Sequence, residues 1–122
     1  MIKIDINKPK KYEIIIEKGA FYNIAKEIKA LITDENIYRL YGEQLKNSLL
    51  KENYDLKIIV IKPGENSKSF KTLIEIYSNL SEFLKRSELI VAFGGGVVGD
   101  LAGFAASTYM RGVKLIQIPT TL

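Results

Sequence analysis

The sequence has 122 residues, enough for one compact domain with its own core, and its 47% hydrophobic and 26% charged content is that of an ordinary globular chain. No apolar run approaches the ~20 residues of a membrane span and no signal peptide or anchor is visible, so a cytoplasmic protein without a membrane partner is expected. The formal charge of +4 comes from scattered lysines, and only Lys8, Lys10 and Lys11 approach a cluster, so no nucleic-acid partner is expected.

Ile2, Ile4 and Ile6 alternate with Lys3 and Asp5, the period of a half-buried strand. Residues 7–11, with Pro9 inside, break it, and residues 12–17 form a second β-rich run that Gly19 closes. The two read as an amino-terminal β-hairpin or edge strand pair. Over residues 20–29, Phe21, Ile24, Ala25 and Ile28 recur at helical spacing and predict a short helix. Ala30, Leu31 and Ile32 then make a brief apolar run ending in Thr33-Asp34-Glu35-Asn36. The next helix would bury Ile37, Leu40, Tyr41, Leu45 and Leu49, with Asp34 or Asn36 as its cap. The same two residues also lie past the carboxyl end of a strand, where an acid can take the hydroxyls of a nucleotide ribose.

Residues 55–61 carry Leu56, Ile58, Ile59, Val60 and Ile61, a near-continuous strand of the kind buried on both faces in a parallel sheet. The loop Pro63-Gly64-Glu65-Asn66-Ser67-Lys68 follows, then a helix with Phe70, Leu73, Ile74, Tyr77, Leu80 and Leu84 on one stripe. This loop has two readings. Ser67 or Ser69 caps the helix while Glu65 and Lys68 are surface charges, or those two charged groups hydrogen-bond a nucleotide.

A third unit begins with the apolar run from Leu89 to Phe93, which meets Gly94, Gly95 and Gly96 and then a small-residue segment, 97–108, that suits a helix. Glycines there let the backbone take positive φ and let a ligand approach closely. The first amides of the helix, around 97–100, would lack intrahelical partners and suit a pyrophosphate. Gly94, Gly96 and Gly99 satisfy the dinucleotide-binding spacing G-x-G-x-x-G in the required strand-to-helix context. The ribose acid normally found about twenty residues later is missing, because no Asp or Glu follows Asp100. Glycines serving only a tight turn and close packing are the structural alternative, and an acid such as Asp100 in a first helical turn is favoured by the helix dipole alone. Arg111-Gly112 makes a turn, 113–118 reads as a strand, and Pro119-Thr120-Thr121-Leu122 ends the sequence.

Repeated strand-then-helix units predict a Rossmann-like α/β fold: an open, mostly parallel sheet, right-handed crossovers and helices on both faces. The loops at 33–36, 62–68, 93–99 and 119–121 would emerge at one edge. With no Cys and no His, the residues offer no disulfide or thiolate chemistry, lack the commonest general base, and argue against a zinc site of their own.

GGGVVGDLAGFAASTYMRGVKLIQIPTTL, Gly94 to Leu122, resembles the signature region of the 3-dehydroquinate synthase family, and Pro63 to Lys68 is similar to that family's G-E-x-x-K cofactor loop. The likeness extends over essentially the whole chain, as the amino-terminal NAD-binding domain of much longer proteins. Related sugar-phosphate cyclases share much of it, and metal-dependent polyol dehydrogenases share the architecture. The resemblance implies a reaction with NAD and a divalent metal, zinc or cobalt. It converts 3-deoxy-arabino-heptulosonate 7-phosphate to 3-dehydroquinate with loss of phosphate, in the shikimate pathway of aromatic amino-acid biosynthesis. By carry-over, Gly95, Gly96, Val97, Val98, Gly99 and Asp100 meet the pyrophosphate and nicotinamide ribose. Asp34 with Asn36 and Glu65 with Lys68 hold the adenosine side, Pro63, Gly64, Asn66 and Ser67 are cofactor-binding residues of the same loop, and Thr120 and Thr121 line the nicotinamide end. Arg111 matches a position that reaches across a homodimer to the substrate phosphate in the neighbouring subunit. The family's metal ligands, a Glu and a pair of His, lie past the matched region. No catalytic or metal residue is therefore expected among residues 1–122, which are expected to be inactive without a carboxyl-terminal metal- and substrate-binding domain.

Overall fold

The first two strands stand apart from the rest. In the computed structural model, which describes residues 2–6, 12–16, 27–49, 56–82 and 88–120, β1 (Ile2–Ile6) and β2 (Tyr12–Ile16) pair antiparallel from Ile2 opposite Ile16 to Ile6 opposite Tyr12. They form a two-stranded sheet of their own. The expected strand pair is present, but Ile2 and Ile4 are exposed.

The main sheet is built from β3 (Ile28–Asp34), β4 (Lys57–Ile61), β5 (Leu89–Gly94) and β6 (Lys114–Pro119), all parallel, in the order β4-β3-β5-β6. Parallel neighbours need crossovers, and three helices supply them: α1 (Glu35–Leu49), α2 (Phe70–Ser81) and α3 (Gly96–Thr108). Side chains alternate across a strand, so the sheet has two apolar faces. Ala30, Ile32, Ile59, Ile61, Ile90 and Ala92 pack under α2 and α3, which contribute Leu73, Ile76, Leu80, Val98, Leu101 and three alanines. Leu31, Val91, Ile58, Phe93, Ile116 and Ile118 face the other way, where α1 contributes Leu45. The predicted Rossmann-like architecture is the one observed, with helices on both faces.

Several expectations change within that frame. The helix expected over 20–29 falls mostly outside the described residues, but Ile28 and Lys29 belong to β3. The brief apolar run 30–32 is thus the middle of the central strand, flanked by β4 and β5 and almost wholly buried. Three adjacent apolar residues are too short a signal to separate strand from helix end. β4 is an edge strand, not one buried on both faces: Lys57 and Val60 are exposed. On α1, Leu40 and Tyr41 are exposed and Leu45 carries the packing, while Tyr41 rests its ring 5.9 Å from that of Phe93. On α2 the buried stripe is Leu73, Ile76 and Leu80; Phe70 and Ile74 point to solvent, and Leu84 lies outside the described residues.

Candidate nucleotide-binding site

The strand order decides where a site can form. From β3 the chain crosses through α1 on one face to β4, then returns through α2 on the other face to β5 on the far side of β3. The connections leaving β3 and β5 therefore diverge to opposite faces, which opens a crevice at the carboxyl ends of these two strands. Asp34 ends one wall and the Gly94-Gly95-Gly96 turn ends the other.

Each helix at this edge treats its orphan amides differently. Asp34 Oδ1 accepts from the Ile37 amide at 2.8 Å and caps α1. Ser69 Oγ accepts from the Thr72 amide at 3.3 Å and caps α2. The residue before α3 is Gly95, which has no side chain to offer, and the helix ladder begins only with the Gly99 amide donating to the Gly95 carbonyl at 3.0 Å. The amides of Gly96, Val97 and Val98 precede that first bond and form the positive end of the helix dipole. An ideal Cβ on Gly96 meets nothing within 4 Å, so the space over these amides is open. A diphosphate fits this cradle by charge and by room.

The glycines differ from expectation in their reason for being there. Gly95 has φ −83°, and positive φ among described glycines occurs at Gly64 and Gly112 instead. Gly94 is required by close approach, since a Cβ there would lie 2.8 Å from Val98 Cγ2. Asp100 sits beyond the first turn of α3, which holds no acid, so the dipole does not account for it. Its partner is Lys68, whose Nζ lies 2.7 Å from Asp100 Oδ2 and 3.5 Å from Glu65 Oε2. The hydrogen bond to Asp100 holds the Lys68 ammonium above the usual lysine range, against a smaller opposing desolvation. Glu65, Lys68 and Asp100 thus join the loop after β4 to α3.

The other expected residues are placed as follows. Ser67 is buried and its hydroxyl donates to the Lys62 carbonyl at 2.6 Å, so it folds the loop back on itself. Pro63, Gly64 and Asn66 lie exposed on that loop, and Gly64 supplies its left-handed turn at φ 98°. Asn36 is exposed in the first turn of α1. Asp34 is half-buried; its cap uses one carboxylate oxygen and leaves a second for a ribose hydroxyl, so the two sequence readings are compatible. The Thr120 amide donates to the Gly94 carbonyl at 3.0 Å, which ties the end of β6 to the glycine turn, while Thr121 lies outside the described residues. Gln117 is not singled out by sequence: its Nε2 donates to the Gly99 carbonyl at 3.4 Å, so the side chain lies along the face of α3 that carries Gly99 and Gly103. Arg111 ends a 3₁₀ turn, Tyr109–Arg111, at the opposite end of α3 from the cradle. Among the described residues no three His, Cys, Asp or Glu side chains come together as a metal group.

A sequence profile described as 3-dehydroquinate synthase N-terminal matches residues 58–122. The chain belongs to the 3-dehydroquinate synthase family. The 3-dehydroquinate synthase of Clostridium acetobutylicum is 52% identical to it over 120 residues, 91% of this chain and 34% of that protein. That of Clostridium botulinum is 49% identical over 124 residues, 94% of this chain and 35% of that protein. This member of the family therefore spans about a third of the length of the curated relatives it matches. Among solved structures, the 2-epi-5-epi-valiolone synthase of Streptomyces hygroscopicus subsp. jinggangensis, with NAD+ and Zn2+ bound, covers 84% of this chain and 29% of its own at a TM-score of 0.75 and 32% identity.

Proposed function

We propose that this chain is the NAD-binding domain of a 3-dehydroquinate synthase, which converts 3-deoxy-arabino-heptulosonate 7-phosphate to 3-dehydroquinate with loss of phosphate. The observation that carries the proposal is the uncapped amino terminus of α3 at the crevice between β3 and β5, with open space over Gly96. The Gly96, Val97 and Val98 amides hold the diphosphate, and the missing Cβ of Gly95 and Gly96 lets it come close. Asp34 accepts from a ribose hydroxyl through its second oxygen, with Asn36, Pro63, Gly64 and Asn66 around the adenosine. Glu65 and Lys68 reach the same side, Asp100 takes the nicotinamide ribose, and Thr120 with Thr121 borders the nicotinamide. Bound there, NAD supplies a hydride acceptor that is restored when the reaction closes. This chain's part is to bind and orient that cofactor, and in this reading a divalent metal would be held by residues beyond 122, where it would supply Lewis-acid chemistry.

In the whole enzyme we place a carboxyl-terminal metal- and substrate-binding domain after this one, a homodimer that brings Arg111 to the partner's substrate phosphate, and a cytoplasmic location. No helix among the described residues is long and apolar enough to cross a membrane. The test is Gly96→Val in the full-length protein. A valine fills the open space over the amides, so NAD binding by calorimetry should disappear while circular dichroism stays unchanged; retained affinity would refute the cradle. The likeness to a valiolone synthase supports a second reading, in which the domain serves another sugar-phosphate cyclase. Assay of the full-length protein for phosphate release from 3-deoxy-arabino-heptulosonate 7-phosphate separates them, since the second reading predicts none, and the higher identities favour the first.

A further inference from the structure

We infer that Lys68 is a positioning residue that acts through Asp100: its ammonium holds one oxygen of that carboxylate and so aims the other at the ribose hydroxyls of the nicotinamide half of the cofactor. Resting on the cradle proposed above, with Asp100 as its ribose acceptor, this gives Lys68 work at the end of NAD opposite the adenosine.

Lys68 is delivered from a backbone fixed on both sides. Before it, the Ser67 hydroxyl donates to the Lys62 carbonyl at 2.6 Å and the Ser67 amide to the Gly64 carbonyl at 3.0 Å. The Lys68 amide itself donates to the Glu65 carbonyl at 3.0 Å. After it, the Ser69 amide donates to the Ser67 carbonyl at 2.8 Å, and the Ser69 side chain caps α2. That helix is in turn held by Leu73, Ile76 and Leu80 in the core it shares with α3. The lysine therefore starts from a set point, and its side chain reaches α3 from there.

Asp100 needs what Lys68 supplies. It stands on a packed helix, but its own side chain is 63% exposed, and the torsion that sets the plane of a carboxylate is broad. An exposed acid with no partner samples many orientations, and gripping a ribose then costs the entropy of choosing one. The ammonium removes that freedom, because Lys68 Nζ lies 2.7 Å from Asp100 Oδ2, a short charge-assisted bond. Oδ1 remains as an acceptor for a hydroxyl. Ion pairs this exposed add little to folding stability, so stability alone is a weak reason for the contact. Binding groups held by a neighbour before the ligand arrives are a general means of gaining affinity. The rival role for Lys68 is direct contact with the diphosphate or the adenosine. Of the three donors of its ammonium, Asp100 takes one and Glu65 Oε2, 3.5 Å away, a second, which favours action through Asp100.

The experiment compares NAD with ADP, which shares its adenosine and diphosphate but lacks the nicotinamide ribose, by calorimetry on the full-length protein. Lys68→Met and Asp100→Ala should each weaken NAD about tenfold or more, as loss of one charge-assisted bond does, and leave ADP within about threefold of the parent. Lys68→Arg keeps the charge and should recover most of the NAD affinity that Lys68→Met loses. In an Asp100→Ala background, Lys68→Met should change NAD affinity less than about twofold, because the group it acts through is gone. Equal losses of NAD and ADP in Lys68→Met overturn the inference, since a direct contact at the adenosine side or a merely loosened loop would weaken both alike. A full Lys68→Met loss that persists in the Asp100→Ala background overturns it too. Failure of the underlying reading shows differently. NAD binding retained by Gly96→Val removes the cradle, and parental NAD affinity in Asp100→Ala removes the ribose acceptor together with this inference. A loss in Asp100→Ala with none in Lys68→Met overturns the positioning role alone.

Discussion

Gly94 and Gly96 are the same residue placed for opposite reasons. At Gly94 the obstacle is the protein itself, since a Cβ would lie 2.8 Å from Val98 Cγ2 and 2.9 Å from its Cβ, at the start of a helix pinned against β5. Gly94→Ala should cost about 1–3 kcal/mol, read by urea denaturation, because the shift falls on the α3 backbone and not on a loose side chain. At Gly96 nothing lies within 4 Å, and alanine is the better helix former. Gly96→Ala should leave stability unchanged or raise it by up to about 1 kcal/mol. Equal costs at the two positions would mean that the space over Gly96 is not open. Thr33 gives a separate residue-scale expectation. It is fully buried in β3, and its Oγ1 has no hydrogen-bond partner among the described residues. A buried hydroxyl left unpaired is unfavourable, and valine has nearly its shape. Thr33→Val should stabilise the domain by about 1 kcal/mol in the same denaturation assay; a loss would show that the hydroxyl is bonded after all.

Among the elements, the three helix starts reveal which features a single sequence can carry. Asp34 and Ser69 announce their caps because capping is local, and the glycine triplet announces an uncapped helix for the same reason. The parallel sheet was equally legible, since strand-then-helix units admit few other arrangements. Strand order was not. That Ala30-Leu31-Ile32 lies at the centre and 57–61 at an edge depends on which strands become neighbours, and no period within either segment records it. The outward Phe70 and Ile74 were missed because periodicity gives a stripe but not which flank of it the core covers. Lys68 and Asp100 were each read as cofactor residues, but their 2.7 Å contact joins a loop to a helix 32 positions on, and only the fold brings them together. That contact predicts a pH dependence. The Asp100 hydrogen bond raises the Lys68 pKa in the folded state. Its stabilisation is thus fully present below the unfolded lysine value of about 10.4 and is lost as pH rises through the higher folded value. The difference in urea midpoint between parent and Lys68→Gln should be constant from neutral pH to about 10 and shrink above it. Because the pair is exposed, salt should shrink the difference too. A difference that ignores both pH and salt would exclude the ion pair as its source.

For the whole molecule, the position of Arg111 sets the strongest expectation. The cradle lies at the carboxyl ends of the strands, whereas Arg111 precedes β6 and so lies at their amino ends, with all of α3 between. The turn that holds it is unusual: among the described residues Met110 is the non-glycine residue with left-handed backbone, φ 48°, and Gly112 follows at φ 112°. A left-handed methionine costs roughly 1–2 kcal/mol, and its half-exposed side chain gains too little from packing to explain it. Two closing bonds hold the turn, from the Gly112 amide to the Tyr109 carbonyl and from the Val113 amide to the Ala106 carbonyl, each 2.8 Å. The fold thus maintains a strained reversal around Arg111, at the end of α3 remote from the glycine turn. If Arg111 serves the substrate phosphate of a partner, Arg111→Ala in the full-length enzyme should lower kcat and raise KM for the phosphorylated substrate. NAD affinity by calorimetry should stay near the parental value. Arg111→Lys should recover only part of the loss, because an ammonium keeps the charge but not the two-pronged contact of a guanidinium with phosphate. A fall in NAD affinity that tracks the fall in turnover would instead tie Arg111 to its own chain's cofactor edge, and the distance along α3 would then need another explanation.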